Sequence, residues 1–585
     1  MADNNTIRLK TSKGVGAMLG AAFGDALGWP NERIAKSNAS KQTQGRLHDF
    51  KRWTRRSGGR FFPHEEVIEE GEYSDDTQLI LCLSRSLQKG VTWWEHFTQV
   101  ELPFWSVYER GGGGATKRAV ESWLDGVMPW SSNRKLQDVK RYYEAGGNGV
   151  AMRVLPHVLL LGEKEFPKIA TNIFLDGIAT HGHPRALLGA LAYGFALWAA
   201  FRKDSKLAYG ELVEELIKNV DLWSALPATP SISPEWRSQA EKSLQDYMKL
   251  WESAKAEVME YLEVCRAELS KGALSLDDDV LKKLQCFNSK ISGAGTVAAI
   301  ASVYLASRHA ADPINGVVKA AFAIGSDTDT IASMTGGLLG CINGSDWLSP
   351  VKQGIQDAAY IEKNAFRLAN GHIDDKPTHE VVKRSLLKNW VDDVVIAPDS
   401  SEVSLPDRRK AKVNRGRDYI GRSGKFKVEF RRLTTDYGQI IYLNKISKGD
   451  FEPIADSPKQ TILPHQQPSK NRGCGSKIPV ASFEKAIWFY RDCLGLTVKK
   501  KSADVVVFDQ GLVLVPLSYT NNVPQGMQLR AMLYIQVTNI TERFRWVKES
   551  DLQIVTALAP WGKSGMIFFR SLDPDGNVVE VFPSD

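Results

Sequence analysis

The first two thirds of the chain repeat apolar and small residues at helical spacing, and strict alternation of apolar and polar positions is rare there. Runs 15–28, 184–201 and 294–307 are rich in Ala, Gly and Leu. Because helices lined with small residues can approach one another closely, these runs favour a compact multi-helix core. We therefore predict an all-α domain over residues 1–395, with the more polar and charged stretch 203–290 as a helical insertion.

The pattern changes to short strands from residue 477 onward. A strand, a helix and three strands follow one another, beginning with SKIPV and SFEKAIWFYRDCLG, and the same order recurs from AMLYIQV to NVVEVFP. This order predicts an α+β domain of two βαβββ modules over residues 477–585, produced by internal duplication. The aromatic residues Trp488–Tyr490 and Trp546 are expected to pack between helix and sheet. The fold class is thus multidomain.

The segment between these two parts, residues 396–476, is basic and rich in Pro and Ser. Alternating apolar residues in KFKVEFRRL (425–433), followed by YGQIIYLNKI (437–446), predict a β-hairpin within it. The remainder, including RRKAKVNRGR (408–417), is interpreted as a solvated linker. Few contacts should cross such a linker, so we expect residues 1–395 to keep their activity when expressed alone.

Positive charge is concentrated in this middle segment. The whole chain carries a formal net charge of +7, whereas residues 397–477 alone hold 17 Lys and Arg against 9 Asp and Glu. The rest of the chain is therefore close to neutral, which argues against a nucleic acid as partner. With 43% hydrophobic and 24% charged residues, the composition is that of a globular protein rather than of a disordered chain.

Apolar runs and cysteines limit the cellular locations that the sequence predicts for the protein. The longest nearly uncharged apolar stretch, 186–201, has 16 residues, which is short of the roughly 20 that cross a bilayer. We interpret it as a buried helix and expect no membrane partner. The six cysteines are scattered and form no CxxC pair, so neither a disulfide framework nor a zinc site is supported. These features favour a cytoplasmic protein, with the nucleus as the alternative.

Two short motifs place paired carboxylates in front of helical runs. Residues Tyr73–Thr77 have the sequence YSDDT, and Gly325–Thr330 have the sequence GSDTDT. One acidic residue is enough to cap a helix, so the second carboxylate of each motif indicates a further role. Four carboxylates repel one another unless a cation neutralises them, and oxygen ligands suit hard divalent ions such as Mg²⁺.

A third motif, GAAFGDALGWPNE (20–32), repeats glycine every four residues from Gly20 to Gly28. This spacing places the glycines on one face of a helix, where they allow close packing with another helix. Asp25 lies among the glycines, and Glu32 follows in a predicted loop.

Five motifs, GxAxGDAxG, SDDT, GNGxxMR, THxHPxA and GSDTDT, follow one another within residues 12–355. In this order they resemble the ADP-ribosylglycohydrolases of the dinitrogenase-reductase-activating type. The resemblance implies an all-α fold with a site for two Mg²⁺ ions, for which Mn²⁺ is the alternative. The implied metal ligands are Ser74, Asp75, Asp76, Asp327, Asp329 and Thr330. The run Gly111–Gly114 is outside the pattern and is interpreted as a flexible connection.

The same resemblance implies catalytic and ligand-binding roles. Glu32 matches a glutamate on a mobile loop that covers the metals and the ligand, and a GNG loop matches one that cradles the phosphates of ADP-ribose. The residues implied for ligand binding are Gly147, Asn148, Gly149 and His181. The implied catalytic residues are Glu32, Asp75 and Asp329, and either Glu32 or an aspartate of the metal site would be the general base.

The C-terminal strands resemble the vicinal-oxygen-chelate superfamily, which includes glyoxalase I and the bleomycin-resistance proteins. The resemblance covers residues 477–583, and Glu580 matches a C-terminal metal ligand. Met532, however, occupies a position where a histidine or another ligand is expected. A single glutamate does not hold a catalytic metal, so we expect Glu580 to pair with a nearby cation and the domain to be a non-catalytic binding module for a ligand or a protein partner.

These motifs favour a metal-dependent hydrolase that removes ADP-ribose from a modified protein side chain or from a small ADP-ribose conjugate. One alternative is a protein that binds ADP-ribose without turnover. A further alternative is a glyoxalase-like or dioxygenase-like enzyme with a regulatory N-terminal half. All four motif carboxylates are retained, which argues against the first alternative, and the missing C-terminal ligands argue against the second.

Overall fold

The computed structural model forms two compact units, residues 1–455 and 456–585. The structure describes residues 4–32, 48–205, 207–228, 233–374, 380–416, 418–421, 423–451, 477–494, 496–502, 505–508, 512–516, 532–537, 539–549, 553–561, 566–574 and 578–583.

Helices dominate the first unit. They are α1 (Asn4–Gly28), α2 (Asp75–Leu87), α3 (Trp93–His96), α4 (Leu102–Trp105), α5 (Gly114–Leu124), α6 (Leu136–Tyr143), α7 (Leu155–Leu161), α8 (Phe166–Ile178), α9 (Pro184–Arg202), α10 (Glu211–Lys218), α11 (Val220–Ser224), α12 (Ser233–Leu244), α13 (Tyr247–Leu269), α14 (Asp277–Lys283), α15 (Gly295–Arg308), α16 (Pro313–Ala321), α17 (Thr328–Asn343), α18 (Ala358–Ala369) and α19 (Arg384–Ile396). The antiparallel hairpin of β1 (Trp53–Ser57) and β2 (His64–Ile68) interrupts them. The predicted helical fold is confirmed.

Glycines bring α1 and α17 into backbone contact. A Cβ atom built on Gly24 would lie 2.1 Å from the carbonyl oxygen of Ala332, and one on Gly28 would lie 2.3 Å from that of Thr328. Only glycine fits at such distances, which confirms the close packing predicted from the glycine spacing. The helices run antiparallel, so the end of α1 lies beside the start of α17, where the second acidic motif is found.

The apolar stretch predicted as a buried helix is part of α9. This helix is long and apolar enough to cross a membrane by length and composition, but 83% of that apolar window is buried inside the fold. It packs against α8 and α15. Gly189 contributes to this contact, because its Cβ position lies 2.3 Å from the backbone of Gly295. Burial within the helical core therefore explains the apolar character of α9.

The polar stretch 203–290 forms α10 to α14, an outer layer on α9 and α15. Tyr247 donates a hydrogen bond from its hydroxyl to the carbonyl oxygen of Gly182 at 2.9 Å. Glu257 of α13 pairs with Arg185 at 2.5 Å and accepts from Thr296 at 2.5 Å. These polar contacts attach the layer next to the THxHPxA motif.

The basic middle segment is a sheet and not a linker. Its strands are β3 (Glu402–Ser404), β4 (Lys410–Arg415), β5 (Tyr419–Ile420), β6 (Phe426–Thr435) and β7 (Ile440–Lys448). Neighbouring strands pair antiparallel in the order β3-β4-β6-β5, with β7 on the other side of β6. The predicted hairpin is confirmed as β6 and β7.

The linker prediction for 396–476 is wrong over its described part, because the sheet shares its core with the helices. Val413, Leu433 and Leu443 are fully or almost fully buried in the same apolar cluster as the helical residues. Lys410 and Lys412, which suggested solvation, are exposed and alternate with buried Ala411 and Val413, whereas Arg409 and Arg431 are largely buried. Residues 452–476 lie outside the described part of the chain.

The second unit confirms the predicted duplication. Its elements are β8 (Lys477–Val480), α20 (Phe483–Ile487), β9 (Val498–Lys501), β10 (Val506–Phe508), β11 (Val513–Pro516), β12 (Met532–Val537), α21 (Ile540–Glu549), β13 (Ile554–Trp561), β14 (Met566–Leu572) and β15 (Val578–Pro583). The two sheets have the equivalent orders β8-β11-β10-β9 and β12-β15-β14-β13, each with a parallel first pair.

The aromatic residues of this unit divide between core and surface. Phe489 and Tyr490 are buried between helix and sheet, as predicted. Trp488 and Trp546 are 40% and 51% exposed, so their assignment to the core is wrong. Successive helical side chains point about 100° apart. Trp546 of α21 therefore faces outward beside buried Val547, and Trp488, directly after α20, faces outward beside buried Phe489.

Candidate active site

The first acidic motif forms the start of α2. Ser74 is the N-cap residue, and its hydroxyl accepts a hydrogen bond from the backbone amide of Asp76 at 3.3 Å. Asp25 of α1 accepts from the amides of Ser74 and Thr77 at 3.0 and 2.9 Å, and from the Thr77 hydroxyl at 2.7 Å. Because Asp25 and Ser74 satisfy the exposed amides of this helix end, Asp75 and Asp76 are available for another role.

The second acidic motif forms the start of α17, directly opposite. The Thr330 hydroxyl donates to Asp76 Oδ2 at 3.3 Å, which links the two motifs across 254 residues of sequence. Asp329 accepts the backbone amide of Thr330 at 2.9 Å. Two helix N-termini therefore converge, and their partial positive charges favour the carboxylates gathered between them.

Electrostatic repulsion in this cluster is strong. Burial, followed by the charges of nearby carboxylates including Asp25, raises the pKa values of Asp75 and Asp76 well above the usual range for aspartate. Burial, followed by the charges of Glu32 and Asp327, does the same to the pKa of Asp329. Such a cluster is stabilised when a positive charge enters it.

The donor types fit a hard divalent cation. Oδ1 of Asp76 is buried and has no hydrogen-bond partner among the described residues, so a polar atom there lacks the compensation that buried oxygens normally have. Carboxylate and hydroxyl oxygens are the ligands that Mg²⁺ prefers. Within the described part of the chain, however, no three Asp, Glu, His or Cys side chains converge at ligand distances.

Glu32 follows the short 3-10 turn Trp29–Asn31 at the end of α1. Its side chain is exposed, and its charge acts on both Asp75 and Asp329. The α1–α17 contact explains this position, because Thr328 donates its hydroxyl hydrogen to the carbonyl oxygen of Gly28 at 2.9 Å. Glu32 therefore lies close enough to the acidic cluster for its charge to act on it. Residues 33–47, which follow it, lie outside the described residues.

The GNG loop reaches the same cluster. Asn148 donates from its side-chain amide to Asp327 Oδ2 at 2.8 Å, and its backbone amide donates to Gly293 at 2.9 Å. Gly149 lies against His181, since a Cβ on Gly149 would be 3.0 Å from the imidazole Cε1. The structure thus brings together the loop, the histidine and the second acidic motif.

Arg153 holds the loop and the histidine in place. It is fully buried, donates to the carbonyl oxygen of Gly149 at 2.8 Å, and pairs with Asp176 at 2.9 Å. It also donates to Thr180, whose hydroxyl lies 2.8 Å from Nδ1 of His181. Burial lowers the pKa of His181 to about 3, so its imidazole is neutral at physiological pH.

Two supporting residues were not predicted as part of the site from the sequence. Asp25 was noted only as lying among glycines, and its role at α2 becomes visible once α1 is placed. Arg153 is the last residue of GNGxxMR. Its position as a charged residue four residues after a glycine loop is the sequence signal that could have identified it as part of the site.

The run Gly111–Gly114 is not merely a flexible connection. Gly111 has a φ of +107°, and a Cβ there would lie 2.9 Å from Asp75 Oδ1. The preceding Arg110 is 4% exposed in its side chain and pairs with Glu66 and Glu72, each at 2.8 Å. These ion pairs fix the backbone of Gly111 against the Asp75 carboxylate, which corrects the sequence-based interpretation.

The middle sheet supports the segment that leads into α2. Tyr442 of β7 donates its hydroxyl hydrogen to Glu72, and its ring lies 4.2 Å from the guanidinium of Arg110. Asp357 accepts from the Tyr73 hydroxyl at 2.6 Å and from the amide of Ile440 at 3.0 Å. The two residues before Ser74 are therefore held by the sheet.

The C-terminal glutamate is in an ion pair. Arg570 on the neighbouring strand donates to Glu580 at 2.6 Å, and Glu580 is 8% exposed. This confirms the expected pairing with a nearby cation. No group of three metal-ligating side chains is found among the described residues of this unit, and the side chain of Met532 lies outside them.

Comparisons with known proteins agree with this architecture. The family model of ADP-ribosylglycohydrolase matches residues 5–378, and that of the Glyoxalase/Bleomycin resistance protein/Dioxygenase superfamily matches residues 474–581. The uncharacterized protein YegU of Escherichia coli (strain K12) is 25% identical over 365 residues, which cover 60% of this chain and 93% of YegU. An uncharacterized protein of Archaeoglobus fulgidus is 26% identical over 218 residues, 36% of this chain and 62% of that protein.

Solved structures are similar to each part of the chain. An ADP-ribosylglycohydrolase-related protein complex covers 63% of this chain and 100% of its own, at 19% identity and a TM-score of 0.39. Lactoylglutathione lyase from Agrobacterium tumefaciens covers 20% of this chain and 96% of its own, at 21% identity and a TM-score of 0.17. Because the first family model spans more than half of the chain, the protein belongs to the ADP-ribosylglycohydrolase family and carries a glyoxalase-superfamily domain at its C-terminal end.

Proposed function

We propose that the first unit is a hydrolase that releases ADP-ribose from a modified protein side chain or from a small conjugate. The observation that carries the proposal is the convergence of two acidic helix N-termini with the GNG loop, linked by the Thr330–Asp76 and Asn148–Asp327 hydrogen bonds. A phosphate-bearing ligand on the loop would then have its ribose beside the carboxylates.

The proposal includes two Mg²⁺ ions, with Mn²⁺ as the alternative. The residues that would hold them are Ser74, Asp75, Asp76, Asp327, Asp329 and Thr330. Such ions activate water at neutral pH and stabilise developing negative charge. The buried Asp76 oxygen without a partner supports this assignment.

The protein's own residues would orient the substrate and accept the proton of the attacking water. Backbone of the GNG loop can approach phosphates closely because glycine has no side chain. Neutral His181 would contact the ligand with its ring edge without adding a charge. Arg153 holds the GNG loop and, through Thr180, His181 in their positions. Glu32 would accept a proton from the attacking water, and its exposure and the influence of its charge on Asp75 and Asp329 support this role.

The C-terminal unit is proposed to bind a ligand or a protein partner without chemistry of its own. Its Glu580 is occupied by Arg570, which removes the one carboxylate that matched a metal ligand. A tethered binding module raises the effective concentration of a macromolecular substrate near the hydrolase site.

The decisive experiment is a hydrolysis assay on a panel of ADP-ribosylated peptides and small conjugates. Free ADP-ribose is measured with Mg²⁺, with Mn²⁺ and after chelation. We expect release with at least one substrate, only when a divalent ion is present. Tight binding of ADP-ribose without release from any substrate would instead support the non-catalytic alternative.

A further inference from the structure

A polar cavity lies in the first unit, away from the acidic cluster. Its volume is about 350 Å³, and it opens between the end of α2, helix α18 and the turns of the middle sheet. Arg85 of α2 is ten residues after Asp75, which places the cavity about 15 Å along the helix from the acidic motif. The volume is within the range of small-molecule sites.

The described lining residues leave an excess of positive charge. Five are Arg or Lys and three are Asp or Glu. Two of the three carboxylates are shared by two cations each: Asp374 lies 2.6 Å from Lys89 and 2.7 Å from Arg367, and Asp407 is shared by Arg409 and Arg85. The third carboxylate, Glu101, accepts hydrogen bonds from Arg85 at 2.6 and 2.8 Å. The lining therefore carries two more positive than negative charges, and Lys363 is the lining cation that forms no ion pair with these three carboxylates.

The floor of the cavity holds two guanidinium groups side by side. Arg85 and Arg409 donate to the same Tyr360 hydroxyl oxygen at 3.2 and 3.3 Å, and both also donate to Oε1 of Gln439. Their side chains are only 9% and 10% exposed. Each guanidinium has a carboxylate beside it, Glu101 for Arg85 and Asp407 for Arg409, so these ion pairs balance the charge of the floor.

The rim adds accessible cations. Lys363 is exposed, and its ammonium lies 4.1 Å from the ring centroid of Tyr437. Lys89 and Arg367 have side chains that are 25% and 30% exposed. Ammonium and guanidinium groups around one opening can direct several hydrogen bonds to adjacent anionic oxygens.

We propose that this cavity binds a small molecule with at least two negative charges on adjacent oxygens, as in a phosphate ester or a polycarboxylate. Lys363, Lys89 and Arg367 at the rim would contact the anionic oxygens, and the paired guanidinium groups of Arg85 and Arg409 would form the floor beneath the ligand. Because the lining comes from helices and from the sheet, bound ligand would also hold the sheet to the helical core.

The test uses the full chain, freed of metal by chelation and dialysis so that the acidic cluster repels anions. Calorimetric titrations with inorganic pyrophosphate and with citrate are made at constant ionic strength. We expect saturable binding of at least one of them with one site per chain. Tighter binding of pyrophosphate identifies a phosphate ligand, and tighter binding of citrate identifies a carboxylate.

Variants at the rim locate the binding. Lys363→Gln and Arg367→Gln should each weaken binding at least tenfold, while their melting temperatures without ligand stay near that of the parent. Lys388→Gln, an exposed lysine of α19 outside the cavity, is the matched control and should bind as the parent does. Absence of binding by both anions, or equal binding by parent and Lys363→Gln, would overturn the proposal.

Discussion

At the scale of single residues, the ionised carboxylates of the acidic cluster lower the stability of the folded protein when no cation is bound. Buried Asp75, Asp76 and Asp329 have raised pKa values because desolvation and neighbouring carboxylates oppose their charge. Functional sites commonly accept such costs, which are recovered when the ligand binds.

We predict that Asp329→Asn abolishes hydrolysis while leaving the fold intact. The amide oxygen can still accept the Thr330 backbone hydrogen bond, but the negative charge for the cation is lost. Without metal, the melting temperature should rise, because one buried like-charge repulsion is removed. The added stabilisation by Mg²⁺ should also shrink. Full activity of this variant, or of the parent after exhaustive chelation, would contradict the metal assignment.

We predict that Glu32→Gln lowers turnover by about 10²-fold or more, the usual contribution of a general base. Stability should change by no more than about 0.5 kcal/mol, because the side chain is exposed. Single-turnover kinetics and thermal unfolding on the same preparation separate the two effects. Unchanged kcat would assign the proton transfer to an aspartate of the cluster instead.

At the scale of elements, the α1–α17 pair determines whether the site forms. The backbones touch at several glycines, and the pair places Glu32 and the start of α17 together. The position of the acidic motifs is therefore a consequence of helix packing rather than of local loop structure.

We predict that Gly24→Ala destabilises the protein by about 1–3 kcal/mol, as overpacking does. Its Cβ would lie 2.1 Å from the Ala332 carbonyl oxygen, so the helices must separate. Activity should fall with stability, because separation moves the second motif away from the first. Gly113→Ala is the control, since a Cβ there meets no atom within 4 Å. Equal melting temperatures for both variants would show that the helices can separate at no cost.

At the scale of the whole molecule, the middle sheet belongs to the first unit, together with the helices. It contributes buried residues to the helical core and contacts Glu72 and Arg110 through Tyr442. The expectation that residues 1–395 act alone rested on few contacts crossing a linker, and the shared core contradicts that premise.

We predict that a fragment of residues 1–455 is folded and hydrolyses small conjugates, whereas residues 1–395 are poorly soluble and inactive. The shorter fragment exposes the apolar surface that the sheet covers and loses the support of the segment before Ser74. Expression yield, thermal unfolding and ADP-ribose release check this. A well-folded, active 1–395 fragment would show that the sheet is an accessory.

The residue patterns alone were sufficient for the helices, the hairpin of β6 and β7, the duplicated βαβββ modules and the acidic motifs. Helical spacing, strand alternation and glycine spacing are local patterns, so they can be recognised in the sequence without knowledge of the fold. The family follows from motif order in the same way, and the family model bears it out.

Long-range packing decided the rest. Exposed lysines such as Lys410 and Lys412 give the segment 402–448 the pattern of a linker, and only the contact of its apolar residues with the helices shows that it is a sheet of the core. Trp488 and Trp546 are apolar but face outward. The roles of Asp25 at α2 and of Gly111 at Asp75 depend on segments far apart in sequence, whose approach is set by tertiary packing and leaves no local pattern.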